Sequence, residues 1–404
     1  MEKLVLKNGM TLILDKRPSK VLTSMLTIKC GSNYEDDVNN GISHVLEHCV
    51  FNGTKKRKAF DIANSIEKLG GELNAATSCF KTFFFTKTLS KHIDVALDVL
   101  SDIFYNPLFP LSQFKKEKGV VSQEISMVYD NYDHFQWVVF QKHLFLGPQS
   151  RPIYGTKENV LGFSRQLLID YYKAFYQPRN AILTLSGGIP FNTKQIAYNF
   201  FGKELGKPPK VIALPDEPKQ VQKIWKENLP VNSAYLILGY KIPVLGTKEA
   251  IVFEIINAIL SRGQSGMLFE NIRNKKGLAY SVGSHHFMGI RYNFFAAYAN
   301  TQEKNIETVK NAILLEFGKL KNISENTLKE AKTFLEGDYY VSKEDGISHS
   351  DWMTNWEIAG DIKKAEAYLR EVNRISKKDV INAVNKYLTK DYCMTILLPK
   401  QGQV

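Results

Sequence analysis

Residues 41–53 read GISHVLEHCVFNG, and the fold and chemistry of the chain are organised around them. Stepping about 100° per residue gathers Ile42, Val45, Leu46, Cys49 and Val50 into one arc of a helix, with His44, Glu47 and His48 opposite. Positions three and four apart lie on one helical face, so both imidazoles and the carboxylate point the same way. Asn39 or Asn40 is placed to cap the start, and Gly53 suits a left-handed stop. The apolar arc predicts anchorage in a core. The other face is left to hold two metal ligands and a base.

Neutral imidazoles one turn apart can share a tetrahedral Zn2+, with a third protein ligand and a water completing the site. A carboxylate beside that water can take its proton as it attacks a carbonyl, while the metal lowers the water's pKa and polarises the substrate. The order His-x-x-Glu-His inverts the commoner zinc motif and is the inverzincin signature. The bland alternative is an amphipathic helix that happens to carry two histidines. With eight His in 404 residues, a chance match is a roughly one per cent event on shuffled composition. The motif needs a third ligand.

A length of 404 residues predicts two or more domains. Hydrophobic content of 44% and charged content of 23% describe a globular chain with ample core. The net charge of +12 is spread over dispersed lysines, and the longest basic run is Lys55, Lys56, Arg57 and Lys58. A diffuse excess reads as a solvated surface, which argues against nucleic acid as a partner. Cys30, Cys49, Cys79 and Cys393 show no C-x-x-C pairing, which fits a reducing compartment or plain burial. No apolar run approaches the roughly 18 residues that span a bilayer. The chain begins directly as strand, turn and strand, with neither a secretory signal nor an Arg-rich leader. The expected location is cytoplasmic, or the mitochondrial matrix for a processed chain.

In chain order, residues 3–30 read as a hairpin turning at Asn8-Gly9 and a further strand. Helical patterns follow at 60–69 and 92–104, on either side of two strand-like runs within 72–89. A long helix is expected from Leu111 to Tyr129; Glu117 and Glu124, seven apart, share one of its faces. Further helices cover 135–144 and 165–175, residues 147–160 form a loop, and 181–187 is a buried strand. Pro208, Pro209, Pro215 and Pro218 cluster in a linker, after which the order of elements repeats. A helix is expected at 266–275 within that repeat. The expected architecture is α+β: two homologous domains, each an antiparallel-rich sheet flanked by helices. The boundaries are 1–205, a linker at 206–222, and 223–404.

These residues resemble the M16 peptidases, the group of pitrilysin, insulin-degrading enzyme and mitochondrial processing peptidase. The match runs through GISHVLEHCVFNGT (41–54), LGGELNAATS (69–78), the Glu117/Glu124 helix and LFENIRNKKGLAYSV (268–282). It covers essentially the whole chain, whose length is similar to the M16B, processing-peptidase-like branch. The resemblance implies His44, His48 and Glu124 as ligands of one zinc per chain, and Glu47 as the general base that activates the zinc-bound water. It implies that Glu117 supports the site without ligating it. Asn74 and Ala75 fall on a strand that, the resemblance implies, lies beside the metal and pairs with an extended substrate backbone. Arg273 and Tyr280, carried by the domain without the zinc motif, are implied donors to the substrate oxyanion. Arg262-Gly263-Gln264-Ser265-Gly266 stands where relatives have a glycine-rich turn. His285-His286 reads as structural, because adjacent strand residues point to opposite faces.

The implied activity is that of a zinc metalloendopeptidase cleaving unstructured peptides or presequence-like segments, in a homodimer that brings both halves of the site together. The alternatives are one subunit of a hetero-oligomeric processing peptidase, or a non-catalytic scaffold subunit like the core proteins of respiratory complexes.

Overall fold

Alternating apolar residues set the first sheet. In the computed structural model, which describes residues 1–202 and 205–400, it is built from β1 (Glu2–Val5), β2 (Thr11–Lys16), β3 (Val21–Ile28), β4 (Glu72–Thr77), β5 (Thr82–Leu89) and β6 (Ala181–Gly187). Gly9 turns the β1–β2 hairpin at φ +88°, the left-handed region that favours glycine. The order across the sheet is β1-β2-β6-β3-β5-β4, with β2 and β6 parallel and every other pair antiparallel. β4 therefore forms one free edge.

The second sheet uses β7 (Lys223–Leu229), β8 (Ala234–Ile242), β9 (Ser281–Phe287), β10 (Asn293–Thr301) and β11 (Cys393–Pro399), in the order β7-β11-β8-β10-β9. Here β7 and β11 are the parallel pair. Strand for strand, β2, β6, β3, β5 and β4 correspond to β7, β11, β8, β10 and β9, in position and in sense. The repeat expected from element order thus holds as sheet topology, with β1 the addition.

The chain forms two compact units, and each is interleaved in sequence. The first comprises Met1–Met127, Arg151–Leu214 and Ser342–Asn355; the second comprises Val128–Ser150, Pro215–Val341 and Trp356–Val404. Residues 205–222 carry no helix or strand. Lys203, Glu204 and Gln401–Val404, at the ends of the two expected domains, lie outside the described residues. Two helices are exchanged across this linker. In the helix Tyr132–Leu144, Phe135 and Val139 bury against Leu397 of β11, and Trp137 stacks on Phe294 of β10. In the helix Gly346–Ile358, Thr354 bonds Thr184 of β6 at 3.0 Å, and His349 lies 3.2 Å from Asp15 of β2. Periodicity identifies a buried helical face but not which sheet covers it.

The core of the first unit runs from Leu12, Leu22 and Leu26 on the sheet to Val45, Leu100 and Leu168 on the helices. In the second, Phe253 and Phe317 both meet the Phe295 ring of β10. One expected helix differs in kind: Phe269–Asn274 is a π-helix, in which the Lys275 amide reaches back to the Glu270 carbonyl at 3.0 Å. Among the described residues no helix is long and apolar enough to cross a membrane.

Candidate metal centre

The helix Ile42–Cys49 carries the His-x-x-Glu-His pattern, and its arc of Ile42, Val45, Leu46 and Cys49 is buried in the first core. Its start is not built as the sequence predicts. Neither Asn39 nor Asn40 caps it; Gly41 holds the cap position at φ +100°. The cap comes instead from Glu35, whose buried carboxylate accepts the Gly41 amide at 2.7 Å and the Ser43 amide at 2.8 Å. The reason is close backbone packing. A Cβ at Gly41 would lie 2.7 Å from the Tyr154 carbonyl oxygen, so no capping side chain fits there. Asn40 spends its amide on Glu35 and on the Pro152 carbonyl, both at 3.0 Å.

On the opposite face, the structure brings together the five acidic and histidine residues that the sequence assigns to the zinc-bearing half. One ligating atom each from His44, His48 and Glu124 fall within 4.8 Å of one another. Glu124 Oε2 lies 3.4 Å from His48 Nε2 and 3.7 Å from His44 Nε2. Two ligands on tetrahedral zinc, with bonds of about 2.0–2.1 Å, stand roughly 3.3 Å apart. The donor set of two imidazoles and a carboxylate therefore fits a divalent ion in chemistry, and the two Glu124 contacts lie close to that spacing. Burial, followed by the charge of His48, pushes the pKa of His44 down to about 3, which keeps this imidazole neutral and able to ligate.

The helix Leu111–Asp130 supplies both glutamates to a single ring. Glu124 faces His48 Nε2, and Glu117 Oε2 lies 3.3 Å from His48 Nδ1. Although burial opposes a charge on His48, the Glu117 hydrogen bond and the charges of Glu124, Glu47 and Glu117 hold its pKa above the ordinary value. The same hydrogen bond lowers the pKa of Glu117. Glu47 is buried and accepts a short hydrogen bond from the Thr77 hydroxyl on β4. Burial raises its pKa, opposed by Thr77 and His48 and assisted by the charge of Glu124.

Asn74 and Ala75 lie on the free edge strand β4, where the Ala75 amide turns to Asn74's own side chain at 2.9 Å. Arg273 and Tyr280 belong to the second unit. There the guanidinium sits 5.3 Å from the Tyr280 ring and 4.6 Å from the Phe269 ring, and Tyr280 is 81% exposed. His285 meets the rings of Trp137 and Phe294, in keeping with a structural role.

The structure adds three residues that sequence reasoning does not single out. Thr77 holds Glu47, Glu35 caps the helix, and the Tyr154 ring meets His44 edge-on at 5.1 Å. Only Thr77 has a signal, as the last strand residue of the 69–78 match.

Comparison with known proteins gives the family. Residues 10–157 match the model for insulinase, peptidase family M16, and residues 162–335 match the model for the peptidase M16 inactive domain. A protein of Bacillus subtilis named uncharacterized zinc protease YmxG is 29% identical over 97% of each chain. The beta subunit of mitochondrial-processing peptidase from Rattus norvegicus is 34% identical over 50% of this chain and 41% of its own. The crystal structure of a protease from Helicobacter pylori shares the fold at a TM-score of 0.94, with 23% identity over 98% of this chain and 99% of that one. Zinc-protease relatives along its whole length support a metallopeptidase role. By both halves of its sequence, the chain belongs to the M16 peptidase family.

Proposed function

We propose that this chain is a zinc metalloendopeptidase that hydrolyses peptide bonds in unstructured, presequence-like segments. The observation that carries the reading is the convergence of His44, His48 and Glu124 within 4.8 Å, with Glu47 on the same helical face. His44, His48 and Glu124 would hold one zinc ion per chain, whose charge would acidify a water and polarise a carbonyl. Glu47 takes a proton from the attacking water and returns it to the leaving amine. Thr77 fixes the Glu47 carboxylate for both transfers. Substrate backbone adds to the β4 edge at Asn74 and Ala75, a mode that demands extended conformation and little sequence. Arg273 and Tyr280 donate to the carbonyl oxygen as it gains charge, and in this reading a second copy of the chain supplies them in a homodimer.

The relative named as a beta subunit favours one further reading, in which a different chain is the partner. The purified chain tests both. Metal analysis, size-exclusion and cleavage of a peptide library with and without chelator should give about one zinc per chain, a dimer and chelator-sensitive cleavage. Zinc bound by a His44→Ala variant at the wild-type level would overturn the metal centre. A monomer that cleaves only after a second protein is added would favour the hetero-oligomer.

A further inference from the structure

The two histidines are held by different means. His48 has a hydrogen-bonded support at Nδ1, from Glu117 at 3.3 Å, while its Nε2 faces Glu124 at 3.4 Å. His44 lacks such a support. Its Nδ1 is buried and finds no hydrogen-bond partner among the described residues. A ligating imidazole ordinarily has its second nitrogen tied to a carboxylate, carbonyl or water, which fixes the ring's orientation. The His44 ring meets the rings of His48 at 4.8 Å and Tyr154 at 5.1 Å, each at 80°.

Tyr154 is itself firmly placed. Its loop is tied to the segment 35–41 by Asn40 on the Pro152 carbonyl at 3.0 Å, Arg151 on Asp37 at 3.0 Å, and Asn159 on the Asp37 carbonyl at 2.8 Å. Gly155, at φ +76°, packs so closely that a Cβ there would lie 2.4 Å from the Asn40 carbonyl oxygen.

We infer that Tyr154 is the positioning residue of His44: its ring, packed nearly perpendicular to the imidazole, sets the orientation in which Nε2 would meet the ion. The inference rests on the metal-centre reading above. It assigns the task to the aromatic ring rather than to the hydroxyl.

The test measures zinc affinity by competition with a chromophoric chelator, the visible spectrum of the Co2+-loaded chain, and the melting temperature of the metal-free chain. Tyr154→Phe keeps the ring and should bind zinc within about 3-fold of wild type. Tyr154→Leu fills the space without a ring and should weaken zinc by about 10-fold or more, the scale of losing a ligand's support. Its Co2+ spectrum should also change, while Tyr154→Phe restores the wild-type spectrum. Wild-type affinity in Tyr154→Leu overturns the proposal even if melting falls, since the ring would then be packing alone. An equal loss in Tyr154→Phe overturns it too, by moving the task to the hydroxyl. Should the leucine variant fail to fold, Tyr154→Met refills the space and the same two outcomes decide. A wild-type chain that binds no zinc sinks this inference and the metal centre together. Zinc binding that His44→Ala abolishes and Tyr154→Leu leaves unchanged sinks this inference alone.

Discussion

His48 lies between two glutamates of one helix, with Nδ1 3.3 Å from Glu117 Oε2 and Nε2 3.4 Å from Glu124 Oε2. A spacing of seven residues is nearly two turns and about 10.5 Å of helix, enough to place one carboxylate on each side of an imidazole. One side of the ring is left to ligate and the other is anchored. Glu117→Ala should therefore weaken zinc binding by about 10-fold or more without removing it, read by chelator competition. Glu124→Ala, which deletes a ligand, should leave the purified chain without stoichiometric metal. Equal losses in the two variants would erase the distinction between ligand and support.

Glu47 and its partner Thr77 give a second test. Glu47→Gln keeps the shape and removes the base, so it should retain zinc and lose cleavage. Thr77→Val removes the hydroxyl that holds the carboxylate. One hydrogen bond to a charged group is worth about 1.5–3 kcal/mol, so kcat should fall by about 10-fold or more while zinc content stays at wild type. Activity in Glu47→Gln would exclude it as the base, and unchanged kcat in Thr77→Val would reduce that contact to packing.

The grouping of side chains at the candidate metal centre was legible where it is periodic. His44, Glu47 and His48 share a helical face by spacing, and Glu117 and Glu124 do so on another helix. That these two faces meet is a tertiary fact, and only the family resemblance anticipated it. The cap was misread for a physical reason: Asn39 and Asn40 are good cappers locally, but the close approach of Gly41 to the Tyr154–Gly155 backbone excludes a side chain there. Glu35 and Tyr154 left no mark on the sequence, since each acts across a loop contact with no period. The exchange of the helices Tyr132–Leu144 and Gly346–Ile358 between the units was hidden likewise.

Tyr280 tests the proposed oxyanion donors. Its ring stacks near the Arg273 guanidinium and is 81% exposed, so the phenol is open to a partner or substrate. Tyr280→Phe keeps the stacking and deletes one donor. If that donor meets charge developing on the carbonyl oxygen, kcat should fall by about 10-fold or more with KM little changed. Kinetics identical to wild type would leave Tyr280 a structural partner of Arg273.

The helix Gly346–Ile358 docks on the first sheet through polar contacts, which makes its docking sensitive to acid. Asp345 accepts the Ser348 amide at 2.9 Å and the Ser348 hydroxyl at 2.7 Å, and Lys87 of β5 lies 3.2 Å away. Partial burial works against the charge, but the Ser348 bonds and Lys87 outweigh it and bring the carboxyl's pKa down to about 2. The unfolded chain returns it to about 3.9. A depressed carboxylate stabilises the fold above the unfolded value, and that contribution is lost as pH falls from about 4 through about 2. Asp345→Ala should therefore lower stability at pH 7 by about 1 kcal/mol, the usual worth of a helix cap. The gap between variant and wild-type melting temperatures should close as the pH approaches 2. A gap of the same size at pH 7 and pH 2 would mean that the ionised carboxylate contributes nothing to holding this helix on the first sheet.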